Sequence, residues 1–427
     1  MTWRGSFSRC LRFIAVVTAL IVLHTVPMTA AQKKIMFMGN TGYFGPELED
    51  AFAQFTKRTG IAIEQIPVAS WPDMNQKFIT MSAAGVAPDV VYGDDLRIFA
   101  FAEQKPLHPI DDPIARDRVN LRVYPGPVVE LMKVRGHYYS LPTAVSIYGI
   151  FYNVNSLEKN GISPLPTDWF TDEFTWEDFV AAAKKLTYDT NGDGVNDHWG
   201  IQNFGSYGGY NQLGLWGVQD IDPDRTQYRG TDPEVVQAVE EIMKLYTEYN
   251  VRGGAFLSGT AAMNIVQSYY VNNIRAQMEA GGMFEWRLGV LPKAKQRVSQ
   301  GAFLSLGISA GSANKEEGWE LVKFLAHDLE GALLFTRAEN RTPMLRETMR
   351  DYLQRWERLM PGCNLSVFTD ATEVLWRWYL MTGYGATDIG NILNQSWGRI
   401  RTGQVSVKAD LEAIAPLIQA ILDQNKM

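Results

Sequence analysis

Lys34-Ile-Met-Phe-Met-Gly-Asn-Thr-Gly-Tyr-Phe-Gly-Pro-Glu-Leu-Glu-Asp-Ala-Phe-Ala-Gln-Phe-Thr-Lys-Arg-Thr-Gly60 is the stretch that decides the fold. Lys34 to Met38 reads as a short apolar strand, ended by the glycine-rich loop Gly39 to Gly45. Leu48, Ala51, Phe52 and Phe55 then recur at i, i+3, i+4 and i+7, and Gly60 stands where a helix C-cap belongs. The alternation repeats: Ile61 to Val68 is a second strand, Pro72 opens a helix, and Pro88 to Tyr92 is a third strand. Strands alternating with helices predict βαβ units, hence an α/β fold whose mostly parallel sheet is flanked by helices.

The same grammar runs on. Thr175 is an N-cap with Asp178 three residues later, and Phe179, Ala183 and Leu186 form the apolar face behind it. A helix starting at Asp232-Pro233 carries Val236, Val239, Met243 and Tyr246. Ala261 to Val266 and Phe303 to Ser309 are strands, Lys315 to His327 is a helix turned inward through Trp319, Val322 and Leu325, and 369–427 reads as mostly helical.

At the N-terminus, Arg4, Arg9 and Arg12 form a basic head without an acid, and Phe13 to Val26 is an apolar run followed by Thr29, Ala30 and Ala31. The run is shorter than the roughly 20 residues a membrane-crossing helix needs. Residues 1–31 are therefore expected to be a signal peptide cut near Ala31, which places the protein in a periplasm. About 396 of the 427 residues remain, more than the roughly 300 at which a single core stops growing, so at least two lobes are expected. The three arginines lost take the formal charge from −7 to −10, which argues against a nucleic-acid or anionic-membrane partner, both of which want a basic face. Cys363 becomes the only cysteine, so no disulfide can form within the chain, and it reads as a passive residue. The four remaining histidines, at 108, 137, 198 and 327, form no zinc spacing, and there is neither a phosphate-binding loop nor a Gly-x-Ser-x-Gly elbow.

An ordered series of segments carries a likeness to a known family. These are Leu48 to Gly60 followed by a strand, Ala84 to Asp95, Gly136 to Asn153, Phe174-Thr-Trp-Glu-Asp-Phe179, Ser258 to Asn264, Leu288-Gly-Val-Leu-Pro292, and Glu317 to Leu325. In this order, nearly end to end, the chain resembles the extracellular solute-binding proteins that serve ABC importers of sugars, the group containing maltose-binding protein. The resemblance implies a two-lobed periplasmic-binding-protein fold of type II, with a hinge and a ligand cleft between the lobes. Lobe 1 would comprise 32–143 and 301–345, and lobe 2 144–300 and 346–427, with crossings near Thr143-Ala144-Val145, near Gly301, and between Thr342 and Asp351. It implies a monomer, not an enzyme, that captures a mono- or oligosaccharide and delivers it to the permease subunits of the inner membrane. Alternatives are a non-sugar or acidic solute (a polyamine, a glycerol phosphodiester, a uronic acid oligomer) and, more distantly, a secreted polysaccharide-cleaving enzyme, since two carboxylates suffice for that chemistry. A basic cleft around Arg341 and Arg275 would favour an anion, and paired carboxylates a cation.

Ligands in open α/β sheets sit at the carboxyl ends of strands, and a sugar wants polar groups at its rim with an aromatic plate beneath. Tyr43 and Phe44 after strand one, Trp71 after strand two, and Asp94 and Asp95 after strand three are the lobe 1 candidates; Asp94 and Asp95 are equally good helix caps. From lobe 2 come Tyr148, just past the first crossing, and Tyr269 and Tyr270 after a strand, of which at most one should face ligand. The family's stacking aromatics suggest Tyr210, and Trp376 ahead of Trp378 in the late helical region. Arg341, beside Thr342-Pro343, could clamp a hydroxyl pair or an acid group.

No cofactor is required, but Asp189-Thr-Asn-Gly-Asp-Gly-Val-Asn-Asp197 resembles a calcium loop. Asp189, Asn191, Asp193 and Asp197 would supply side-chain oxygens, Val195 a carbonyl, and Gly194 the sharp turn. Position twelve is Gly200 rather than a bidentate Glu. The competing reading is an Asn/Asp/Gly turn held by its own side chains; any calcium here would be structural.

Overall fold

The computed structural model describes residues 33–424, so the expected signal peptide lies outside the described residues. Strand β1 (Lys34–Asn40) ends where the Asn40 side chain accepts a hydrogen bond from the Gly42 N–H and starts a tight turn through Tyr43. Helix α1 (Pro46–Thr59) opens on a proline, with Glu47 and Glu49 in its first turn and Lys57 and Arg58 in its last, the charge order its dipole favours. It stops at Gly60, which takes φ 74° and donates its N–H to the Thr56 carbonyl. Strand β2 (Ala62–Val68) pairs parallel with β1, Lys34 opposite Ala62 through Asn40 opposite Val68. After α2 (Trp71–Ala83), strand β3 (Val90–Asp94) pairs parallel on the other side of β1 and leads into α3 (Asp95–Glu103).

Strand β4 (Ser140–Asn153) follows, every residue of it buried. Beyond it come α4 (Trp176–Lys185), β5 (Trp199–Phe204), α5 (Pro233–Thr247), β6 (Ala261–Gln267), α6 (Val271–Glu279), β7 (Trp286–Gly289) and β8 (Ser299–Ile308). The chain closes with α7 (Lys315–Ala326), α8 (Leu329–Glu339), β9 (Thr342–Pro343), α9 (Arg346–Leu359), β10 (Leu375–Trp376), α10 (Ala386–Arg401) and α11 (Val407–Asp423).

The main sheet order is β2-β1-β3-β8-β4-β6-β5. Pairing is parallel towards its ends and antiparallel where β8 and β4 cross the middle. Strand β4 belongs to two groups at once. Ser140 to Ile147 pairs with β8, whose Leu304 to Ile308 also pairs with β3. Tyr148 to Asn153 pairs with β6 and β7 instead. Between Leu304 and Ser305 the register slips, so that Thr143 is the extra residue of a bulge, and its hydroxyl donates to the Leu304 carbonyl at 3.2 Å. Pro142 is tolerated inside the strand because it sits at that bulge. Thr342 and Pro343 pair with Val145 and Ala144 on β4, so three separated chain segments lie together at this point.

One apolar core lies around α1, α7 and the inner strands, with Phe37, Phe55, Tyr92 and Trp319 fully buried. A larger one continues through Val145 and Ile147 into the β5–β6 half.

Two local expectations are corrected. Helix α5 buries Val235, Ala238, Val239, Ile242, Met243 and Leu245; its core face is centred about one residue away from the stripe expected, and Val236 and Tyr246 are only partly covered. Its apolar arc is wide enough to admit both phases. Trp376 lies not on a helix but on the two-residue strand β10, which pairs parallel with Ser299-Gln300.

Candidate functional site

The turn after β1 places Tyr43 beside Trp71 and Tyr92, with ring centroids 6.2 and 5.3 Å away. Trp71 is held in place because it opens α2, whose N-cap Ser70 accepts from the Asp73 N–H. Arg97 fixes it further, donating from Nε to the Trp71 carbonyl at 2.9 Å with its guanidinium 5.4 Å from the indole. Against this aromatic corner stands Arg341, which leaves α8 through Asn340 at φ 52°. Its Nε donates to the Tyr43 hydroxyl at 3.0 Å and its Nη1 to Ser146 Oγ, on β4, at 2.6 Å. The same guanidinium lies 5.8 Å from the Tyr43 ring and 5.6 Å from the Tyr269 ring. One side chain thus touches the β1 turn, the shared strand and the turn after β6.

A cavity of about 640 Å³ opens here, lined by the turn at 40–43, Trp71, residues 337–341 and Arg355 on one side, and by Asn272 and Arg275 of α6 on the other. Asn340 Nδ2 donates to Asn272 Oδ1 at 2.6 Å across it. Glu339 is buried at its floor: Oε1 accepts from Tyr92 Oη at 2.7 Å and from Thr143 Oγ1, while Oε2 has no partner. Burial pushes its carboxyl up to about 7, against the pull of Arg341.

Of the residues expected from sequence, Tyr43, Trp71, Tyr269 and Arg341 come together. The other aromatics stand apart from this cavity. Phe44 lies edge-on to Phe37 of the core. Tyr148 is buried with its hydroxyl 2.7 Å from Ser206 Oγ, and Tyr210 is buried with its hydroxyl 3.2 Å from Ser396 Oγ. Tyr270 packs inward on Phe151 and Phe256, while its neighbour Tyr269 is exposed. Asp94 caps α3 through the Arg97 N–H and pairs with the Arg97 guanidinium at 2.5 Å. Asp95 is buried, and desolvation with Asp94 beside it pushes its carboxyl up to about 7 despite Arg377. Trp376 is half-buried against Gly214, where a Cβ would meet the indole at 2.6 Å. Trp378 is buried and donates from Nε1 to Asp220 Oδ1 at 2.9 Å. Sequence reasoning did not single out Ser146, Asn272, Glu339, Asn340 or Arg355. The i, i+3 spacing of Asn272 and Arg275 was the one signal available, since it puts both on one face of α6.

In the 189–197 loop the acidic oxygens face the loop's own backbone. Asp189 accepts from the N–H groups of Asn191, Gly192 and Gly194 at 3.0, 2.7 and 2.7 Å, Asp193 accepts from Val195, and Asp197 from Thr190. Those bonds hold the Asp189 carboxyl below its ordinary range, the Gly194 one most strongly. Among the described residues no group of three or more His, Cys, Asp or Glu is arranged to hold a metal ion. Cys363 is buried, which pushes its thiol up to about 11.

Residues 39–328 match the family described as bacterial extracellular solute-binding protein. A maltotriose-binding protein of Pyrococcus abyssi is 23% identical over 300 residues, 66% of this chain and 60% of that relative's length. Among solved structures, an ABC substrate-binding protein of Listeria monocytogenes in complex with cycloalternan superposes with a TM-score of 0.71 at 20% identity, over 92% of this chain and 99% of that one. A sugar transporter from Rhizobium etli in an open conformation gives 0.73 at 19% identity, over 91% and 99%. At such identities the structures establish the two-lobed fold.

Proposed function

The chain belongs to the bacterial extracellular solute-binding proteins, and from that premise we propose that it is the capture subunit of an ABC importer, taking a mono- or oligosaccharide between its lobes. One observation carries the reading: Arg341 is in contact with Tyr43, Ser146 and Tyr269 at once, at the edge of one cavity. A ligand seated there touches both halves of the molecule, and only when they are closed. Closure then follows from the ligand's higher affinity for the closed form. Tyr43 and Trp71 of the lining, with Tyr269 against Arg341, supply apolar faces for sugar C–H surfaces, and Arg341, Asn272, Asn340 and the free oxygen of Glu339 supply the polar rim. The relatives' names point the same way: maltotriose in one, cycloalternan in another.

In this reading the protein performs no reaction. It works in the periplasm as a monomer after removal of residues 1–31 and passes its cargo to the permease subunits. A thermal-shift and calorimetric panel of mono- and oligosaccharides tests it. At 100 times its dissociation constant, a true ligand adds about 2.7 kcal/mol of stability. A panel in which no saccharide shifts the transition or gives heat would falsify the proposal, and turnover of a glycan would replace it by an enzymatic one.

A further inference from the structure

The cavity is charged in a way that an uncharged sugar does not require. Arg275, Arg337, Arg341 and Arg355 line it against Glu47 and Glu339. Two of these cations are already matched: Arg337 grips Asp351 through Nε at 3.0 Å and Nη2 at 2.7 Å, and Arg275 reaches Glu279, one turn along α6, at 3.2 Å. Arg341 and Arg355 make no carboxylate ion pair among the described residues. Arg341 spends its bonds on two hydroxyls, and Arg355 donates Nη1 to the Arg337 carbonyl at 3.2 Å. Glu339 is a poor counter-ion, because its burial favours the neutral acid and its Oε1 serves Tyr92 and Thr143. Glu47 attracts Arg355 through space without pairing with it. Both unmatched guanidiniums are half-buried. Such a cation has lost part of its hydration and gains most from an oxyanion, which guanidinium groups recognise with two parallel hydrogen bonds.

We infer that the saccharide carries an acid group, a carboxylate or a phosphate, which Arg341 and Arg355 receive, while its hydroxyls hydrogen-bond to the two unpartnered buried oxygens of the cavity, Glu339 Oε2 and Asn340 Oδ1. The inference rests on the cavity being the saccharide site. It adds the sign of the cargo's charge.

Calorimetry on the mature protein with matched pairs tests it: galacturonate against galactose, glucose 6-phosphate against glucose, digalacturonate against its neutral counterpart, and inorganic phosphate and acetate alone. The acid member of at least one pair binds at least about tenfold more tightly than its neutral partner, as one added charge-assisted contact warrants. That advantage shrinks when salt rises from about 0.05 M to about 0.5 M, because the half-buried pair is still partly screened. Which pair responds separates carboxylate from phosphate. In Arg355→Gln, with an unchanged melting temperature, the preference collapses towards unity, and Arg355→Lys keeps part of it. Neutral sugars binding as well as their acids overturn the inference and leave saccharide capture standing. Failure of every sugar, acid or neutral, removes both, and so does inorganic phosphate binding as tightly as the sugar phosphate.

Discussion

Tyr269 and Tyr210 differ by environment, not by type. Tyr269 presents an exposed ring to Arg341, whereas Tyr210 is sealed in the core with Ser396 as its hydroxyl partner. Tyr269→Ala is expected to leave the melting temperature nearly unchanged and to weaken ligand binding by about tenfold, the worth of one aromatic platform. Tyr210→Phe should do the reverse, losing about 1 kcal/mol of stability with affinity intact; calorimetry and thermal melts on both variants check the crossing. Asp220 gives a pH signature. Burial lifts its carboxyl from 3.8 to about 7, so between those values the folded state holds a proton that the unfolded chain has released. The group therefore costs nothing below about pH 4, and its penalty grows until about pH 7. Asp220→Asn, which can still accept from Trp378, should gain stability over the parent as pH rises across that window; an equal offset at every pH would count against it. Sequence supplied the residue types of the site but not their directions. Of adjacent Tyr269 and Tyr270, only the fold decides which looks out, and Glu339 is in the cavity because Thr143 and Tyr92 hold it there.

At the scale of elements, alternation and capping were legible because they are local. The Gly60 stop of α1 and the Thr175–Asp178 capping box stand where the residues placed them. The phase of α5 and the strand at Trp376 were not legible, since each depends on a partner distant in sequence. Gly200 joins the two cases. At position twelve of the calcium-like pattern it supplies no ligand, and the structure gives its reason: a Cβ there would lie 2.1 Å from the Ala183 carbonyl oxygen, where β5 crosses α4. Gly200→Ala should cost about 3 kcal/mol in a denaturant titration, by forcing helix and strand apart. The loop beside it turns its carboxylates onto its own amides, so adding calcium to chelator-treated protein is expected to leave the melting temperature unmoved. A rise of several degrees would show that the ion displaces those bonds.

For the whole molecule, the two-lobed plan was readable from length and from the ordered series of segments, while the contacts between distant parts were not. Arg225 pairs with Glu103 at 3.1 Å, both side chains nearly buried, and also donates to the Tyr384 carbonyl. Arg377, likewise buried, lies 3.8 Å from the Phe99 ring and bonds the Leu131 carbonyl. Nothing in the local pattern around residues 103, 225 or 377 announces a partner. Arg225→Ala strands the Glu103 charge in the interior and should destabilise by roughly 3–5 kcal/mol, with much of the loss recovered when Glu103 is also replaced by Gln; a double-mutant cycle by thermal melting measures it.

Strand β8 adds a consequence for how the protein is made. The β2-β1-β3 end of the main sheet is not joined to β4 until Leu304 to Ile308 has slotted between β3 and β4, so the ribosome must deliver most of the polypeptide before even the N-terminal half can close. Contacts between residues so far apart in sequence form slowly. A newly synthesised chain is therefore expected to stay unfolded for longer than one whose domains fold in sequence order, the condition in which a polypeptide can still be threaded through a narrow channel.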